Sequence, residues 1–328
     1  MKLKFPTPFF LTLFIIVCTG FSTMTHAIAI YAHRGFAGLY PENTLISFER
    51  SLDVGVHTLD VDVAITKDGV VVGSHDPFLN QAFTRKNGIW LEDNNTQIID
   101  LTFNELQDYD VGAINPENDY FKQFPGQNAF DNIKIPSLQQ VIDLIKTKGN
   151  NEHRLQIEIK TSPQLNDDQF IEYFVTKIID TLKLNNFLER AELQSFDWRT
   201  LIYAKKIEPT ITTSFITEQS EDFDSFSIYT DPNESWTAGH KITDYNNSMI
   251  EMMSKLGANI WCPNYKNVTP ELVKAAHLNN IKVVPWTIDD KTEMNYLLSI
   301  GVDGIITNRS DLLRELLTEI ADQPPVTD

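Results

Sequence analysis

Two histidines and three carboxylates stand at spacings that could do chemistry together. In the run from Thr58 to Asp76, alternating apolar residues flank Asp68-Gly69, a two-residue hairpin signal. With Asp68-Gly69 as the turn, Lys67 faces Val70, and counting back in pairs sets Asp62 opposite His75. Asp60 lies two residues before Asp62 and so points to the same face. One hairpin thus gathers two carboxylates and an imidazole, and His33, which closes an earlier apolar run, comes to the same side. The stretch from Leu155 to Lys160 adds a third carboxylate, because Glu158 and Lys160 alternate with Ile157 and Ile159 and face one way.

An unpaired carboxylate inside a protein is costly, and a cation is a natural reason to keep one there. Asp60, Asp62 and Glu158 form an all-oxygen set suited to Ca2+ or Mg2+ and poorly suited to zinc. His33 and His75 then stay free as acid and base. Plainer alternatives stand beside this reading: a histidine at a strand end serving structure only, Asp62 with His75 as a simple pair, and Glu158 with Lys160 as an interior ion pair. Three strand ends presenting polar groups together weigh against them. Spacing alone reaches a metal-assisted hydrolase and names no substrate.

Eight apolar or β-branched runs can position these groups: Ile28 to His33, Thr58 to Ile65, Leu155 to Lys160, Ala191 to Phe196, Thr210 to Thr217, Ala258 to Asn264, Lys282 to Ile288 and Asp303 to Asn308. Segments of helical spacing separate them, as in Leu45, Phe48 and Leu52, which follow an expected Asn43 cap and end at Gly55. Strands alternating with helices argue for parallel βα units, and eight of them for a closed (β/α)8 TIM barrel, an α/β fold over residues 28–320. The alternative is an open doubly wound sheet, but no Gly-rich phosphate loop follows the first strand. Residues from about 78 to 135 read as an insertion after the second strand, and about 218 to 247 as an acidic, aromatic loop after the fifth. Both would rise from the face where a barrel carries its site.

The chain has 328 residues and is 42% hydrophobic, enough for a large core. Lys2 and Lys4, an apolar run from Phe9 to Val17 and small residues up to Ala27 have the form of a signal peptide over residues 1–27, too short in its apolar part to span a membrane. Bulky Val17 speaks against a lipid anchor on Cys18. The expected product is therefore exported, periplasmic or secreted, with no stable membrane insertion. It keeps Cys262 alone, which reads as a buried strand thiol, and residues 321–328 read as a frayed tail. Net charge moves from -18 to about -20 once the two leader lysines go (25 basic against 45 acidic), which argues against nucleic acid as a partner. Nothing in the sequence speaks to oligomeric state.

Several ordered strings together carry a resemblance: Ala32 to Gly35, Pro41 to Thr44, Asp60 to Asp62, Thr66 to Gly69, His75-Asp76, Glu158 to Lys160, Gln194 to Phe196, Trp286-Thr287 and Gly301 to Asn308. In this order, over nearly the whole exported chain, they resemble the glycerophosphodiester phosphodiesterase family, and the insertion and leader look most like its periplasmic, calcium-using branch. The resemblance implies hydrolysis of small glycerophosphodiesters, such as glycerophosphocholine and glycerophosphoethanolamine, to an alcohol and sn-glycerol 3-phosphate. It implies His33 and His75 as catalytic acid and base, and Asp60, Asp62 and Glu158 as ligands of one divalent cation, calcium ahead of magnesium. It further implies Arg34 and Lys160 as phosphate-binding residues, Trp286 as an aromatic wall for substrate, and Glu42 in support. One departure stands out: the family usually has Glu at the first carboxylate position, where this chain has Asp60.

Two other readings remain open at this level. A lipase of the same barrel type would need an apolar rim, which Phe103, Phe121, Phe124 and Phe130 of the insertion could supply or could instead spend on the insertion's own core. A non-catalytic binding protein should have lost a histidine, and this chain keeps both.

Overall fold

The computed structural model describes residues 28–226 and 235–322, so the expected leader and most of the expected tail lie outside the described residues. In chain order come β1 (Ala29–Ala32), α1 (Leu45–Val54), β2 (Thr58–Ile65) and β3 (Val71–Gly73). The insertion follows with β4 (Arg85–Lys86), β5 (Ile89–Trp90), α2 (Phe103–Leu106) and β6 (Tyr109–Asp110). Then come α3 (Leu138–Lys148), β7 (Arg154–Ile159), α4 (Asp168–Leu184), β8 (Ala191–Ser195), α5 (Trp198–Ile207) and β9 (Thr212–Thr217). The chain ends with α6 (Met249–Lys255), β10 (Ile260–Pro263), α7 (Pro270–Leu278), β11 (Lys282–Val283), α8 (Lys291–Ser299), β12 (Gly304–Thr307) and α9 (Ser310–Ala321).

All eight expected strands are present and parallel, in the spatial order β11-β10-β9-β8-β7-β2-β1-β12. Backbone bonds from Asp303 N to Val283 O (2.8 Å) and from Ile306 N to Pro285 O (3.0 Å) join the two ends. The sheet is thus a nearly closed α/β barrel, and the open doubly wound alternative falls away. Its strands are buried on both faces, as parallel strands flanked by helices must be. Leu59, Val61, Leu155, Ile157 and Leu193 pack outward against the helices. The side chains between them point inward, and there the barrel is unusually polar.

Two local expectations need correction. The hairpin pairs Val63 with Gly73 and Ile65 with Val71, so Asp62 stands opposite Ser74, bonded through Ser74 N to Asp62 O (2.9 Å), and not opposite His75. Gly69 takes a φ of 79° and Thr66 pairs with Val70 around a three-residue loop of Lys67, Asp68 and Gly69. That is the turn with a left-handed third residue, and it moves the register by one. The cap of α1 is Thr44, whose Oγ1 accepts from Ser47 N, because the Asn43 amide is committed to Asp62.

The insertion folds as a small unit. Its antiparallel sheet, β5-β4-β6, covers a core of Leu79, Ile98, Leu106 and Tyr109, with Phe103 packed against it. Phe130 stacks on Tyr40, and Phe124 packs edge-on to Tyr120.

Candidate active site

The barrel interior at the C-terminal ends of β2 and β7 is built in layers. Strand register sets Asp62 beside Glu158 and Glu158 beside Gln194; one pleat deeper, Asp60 stands beside Gln156 and Gln156 beside Glu192. Asp60 is only 1% exposed, yet neither of its carboxylate oxygens has a hydrogen-bond partner, and Asp62 Oδ1 and the side-chain carbonyls of Gln156 and Gln194 are likewise unsatisfied. Burial, with Asp62 and Glu158 adding like charge, raises the Asp60 carboxyl well above the ordinary carboxylate range.

Asp62 faces the opposite balance. Burial disfavours its charge, but Lys160 and Arg34 outweigh burial and hold the carboxyl well below the ordinary range. Lys160 Nζ lies 3.5 Å from Asp62 and 2.6 Å from Glu158, and Arg34 Nε lies 3.1 Å from Asp62. Asn43 locks Asp62 from both sides, its Nδ2 donating to Asp62 Oδ2 (2.9 Å) and its Oδ1 accepting from Asp62 N (3.1 Å). Arg34 also donates to Glu42 at 3.0 Å, and Glu42 accepts from the Tyr120 hydroxyl of the insertion. Burial works against the Arg34 guanidinium, but Glu42 and Asp62 more than compensate and keep it protonated.

The two histidines differ in their backing. His33 Nδ1 is 2.7 Å from Asn308 Oδ1, and Asn308 in turn donates its amide to Asp289 Oδ2 (2.8 Å). Asp289 thereby orients the Asn308 amide with its oxygen toward His33, so Nδ1 carries the proton and Nε2 is left as an acceptor. Burial, with Arg34 close by, lowers the His33 pKa to about 3. His75 Nδ1 instead contacts the carboxylate of Asp76 at 3.0 Å, and Asp76 is held by Asn80 (2.8 Å). Both rings open onto one polar cavity of about 380 Å3, roofed by Phe83, Tyr120 and Phe124 of the insertion.

The fold therefore brings together His33, His75, Arg34, Glu42, Asp60, Asp62, Glu158 and Lys160. Trp286 packs edge-on to Phe196, which lines the apolar cavity beside this one, its indole N–H bonds Cys262 O (2.9 Å), and the next residue, Thr287, lines the polar cavity. Cys262 is fully buried against Ser214, as expected of a strand thiol. Among the described residues no three His, Cys, Asp or Glu side chains converge into a ready metal cage. Lys160 takes one oxygen of Glu158, and Asp60 sits a pleat lower. The donors nevertheless fit a hard dication in kind: all are oxygens, and the Asp60 pair is buried without a proton donor.

Three residues of this network, Asn308, Asp289 and Tyr120, had no role on sequence grounds, and Asn43 was expected only as a helix cap. Asn43 and Asn308 lie within noticed strings, but their partners are 19 and 275 residues away. Asp289 and Tyr120 carried no signal at all.

Comparison with known proteins agrees with this fold. Residues 33–312 match the model of the glycerophosphoryl diester phosphodiesterase family. A glycerophosphodiester phosphodiesterase of Caldanaerobacter subterraneus is 29% identical over 88% of this chain and 97% of its own. A chain from Silicibacter pomeroyi assigned to the glycerophosphoryl diester phosphodiesterases superposes with a TM-score of 0.80, at 28% identity, over 90% of this chain and 95% of that one. A phosphodiesterase from Oleispira antarctica, solved with its product sn-glycerol-3-phosphate, shares the fold with a TM-score of 0.64 at 20% identity, over 88% and 96% of the two chains.

Proposed function

The chain belongs to the glycerophosphoryl diester phosphodiesterase family and is a phosphoric diester hydrolase; from this premise we propose that it cleaves glycerophosphocholine, glycerophosphoethanolamine and similar diesters to an alcohol and sn-glycerol 3-phosphate, using one divalent cation. The observation that carries the cation is Asp60, a buried carboxylate with two unpartnered oxygens beside two further acids. Asp60, Asp62 and Glu158 would hold the ion, calcium ahead of magnesium, and bound there it would supply positive charge to the phosphoryl oxygens.

The remaining work falls to the chain's own groups. Arg34 and Lys160, both kept charged by neighbouring carboxylates, neutralise the diester and the charge that builds on it; one such contact is worth about 3 kcal/mol in comparable sites. His33, neutral with Nε2 free, accepts the proton of the attacking hydroxyl. His75, backed by Asp76, gives a proton to the departing alcohol. Glu42 and Asn43 fix Arg34 and Asp62 in place. We further propose that residues 1–27 export the protein, so that this happens in the periplasm or outside the cell.

The test is release of glycerol 3-phosphate from glycerophosphocholine by the purified protein, first after chelation and then with Ca2+ or Mg2+ restored separately. Loss on chelation and return with one ion is expected. No release with either ion would refute the small-diester reading, and release that survives chelation would refute the cation.

A further inference from the structure

We propose that the side-chain oxygen of Gln156 is a further ligand of the divalent cation, drawing the ion down toward Asp60 and favouring Ca2+ over Mg2+. The inference rests on the cation proposed above and adds to its three carboxylates a neutral oxygen from the layer beneath.

Gln156 is fully buried on β7, beside Asp60 of β2 in the lower of the two polar layers. Its amide nitrogen donates to the Ser214 hydroxyl of β9 at 3.3 Å and reaches toward Cys262 Sγ of β10, 3.9 Å away. The amide oxygen is left without a donor, as are both oxygens of Asp60 and Oδ1 of Asp62. Buried acceptors in a folded chain nearly always meet a donor. Here three orphaned acceptors fall on two neighbouring residues, and the one amide donor between them is engaged elsewhere. A cation satisfies such a group of oxygens together. The rival arrangement turns the amide over, with Nε2 donating to Asp60 and Oε1 accepting from Ser214, which would make Gln156 a structural partner. The two arrangements differ in what happens on the ion when Gln156 is removed.

The layering gives the extra ligand its role. Asp60 stands a pleat below Asp62 and Glu158, and Lys160 takes one oxygen of Glu158, so among the described residues no three acidic side chains converge on one point. An amide oxygen from the lower layer completes the set without adding another negative charge to a buried site. It also sets the preference between ions. Ca2+ accepts roughly six to eight oxygens in flexible geometry, side-chain amides among them, whereas Mg2+ demands near-octahedral geometry and usually keeps several waters. An ion drawn down among buried side chains has protein oxygens in place of waters, which suits the larger ion.

The test compares the parent with Gln156→Met, which fills similar space without a hard oxygen, and with Gln156→Glu, which keeps one. Binding of Ca2+ and of Mg2+ is measured by calorimetry on chelator-treated protein, and thermal unfolding is followed in chelator. Tb3+ serves as a luminescent probe whose lifetimes in H2O and D2O count the waters left on the ion. Losing even an outer partner of a metal ligand costs roughly 10- to 100-fold in affinity, so Gln156→Met should bind Ca2+ at least about tenfold more weakly. It should lose less of its Mg2+ affinity, carry an additional water on Tb3+, and melt no lower than the parent in chelator, while Gln156→Glu still binds Ca2+. Parent-like Ca2+ affinity and water count in Gln156→Met would overturn the ligand and leave the three-carboxylate site standing. An unchanged water count together with a lower melting temperature in chelator would make Gln156 the structural partner of Asp60, and would overturn it as well. A parent that binds neither Ca2+ nor Mg2+ would overturn the cation itself.

Discussion

Replacing Asp60 by Asn should make the metal-free protein more stable and the enzyme inactive. In the folded chain the Asp60 carboxylate is 1% exposed, has no donor for either oxygen, and shares its surroundings with Asp62 and Glu158. A buried polar group left unpaired costs about 1–3 kcal/mol, and a charged one more. Asn keeps the shape, removes the charge and can donate to a neighbouring acid, so a gain of about 1–2 kcal/mol is a low estimate. At roughly 2 °C per kcal/mol for a domain of this size, Asp60→Asn should melt about 2–4 °C above the parent in chelator.

The sign of the pH dependence follows from the direction of the shift. Because folding raises the Asp60 pKa, its cost is absent below the unfolded value near 3.8 and grows as pH rises toward the folded value. The advantage of Asp60→Asn should therefore vanish near pH 4 and grow as pH rises above it. Adding the cation should reverse the order: at about 100 times its dissociation constant a ligand adds roughly 2.7 kcal/mol to the parent and little to a variant lacking a ligand oxygen. The assay is thermal unfolding of both proteins with chelator and with Ca2+. A chelated Asp60→Asn that melts below its parent would show that Asp60 is a satisfied structural group, and would remove the observation on which the cation rests.

Three further outcomes follow. Asn308→Ala frees the His33 ring to turn and to exchange tautomers, so kcat should drop roughly 10- to 100-fold, as for other outer partners of catalytic groups, with KM little changed; an equal rise in KM would mean that Asn308 binds substrate instead. His33 stays neutral in the fold down to about pH 3, whereas the unfolded ring takes a proton below about pH 6.5. Stability should therefore fall as pH drops from about 6.5 toward 3, and less steeply in His33→Gln, as read from urea midpoints at pH 7 and pH 5. Gly69→Ala places a Cβ 2.6 Å from the Tyr173 hydroxyl at a φ of 79°, which should cost at least about 1–2 kcal/mol in chemical denaturation.

The barrel strands were legible because their signal is local. Alternation along Thr58–Ile65 sorts Leu59, Val61 and Val63 from Asp60 and Asp62 without reference to any other part of the chain. Register was less so: whether Gly69 closes a two-residue or a three-residue turn is decided by backbone conformation, and the choice shifts His75 by one place. Asn43 was misread for a related reason, since a residue able to cap a helix can also hold a carboxylate, and only the position of Asp62 shows which it does.

The site shows the same division at greater range. Alternation shows that Asp60, Asp62 and Glu158 face inward, but not that Asn43 and Arg34 hold Asp62, that Lys160 lies closest to Glu158, and that Asp60 is left with no donor. Those assignments depend on which residue sits in the neighbouring layer, set by pairing between β2 and β7, nearly a hundred residues apart in the chain. The two histidines, alike in sequence, differ because Asn308 arrives from the last strand and Asp76 from the next position. An amide oriented by Asp289 leaves His33 one proton and a free nitrogen, while His75 Nδ1 meets a carboxylate instead. The different backing of the two rings thus originates in the closure of the barrel, where β12 lies against β1 and carries Asn308 to His33.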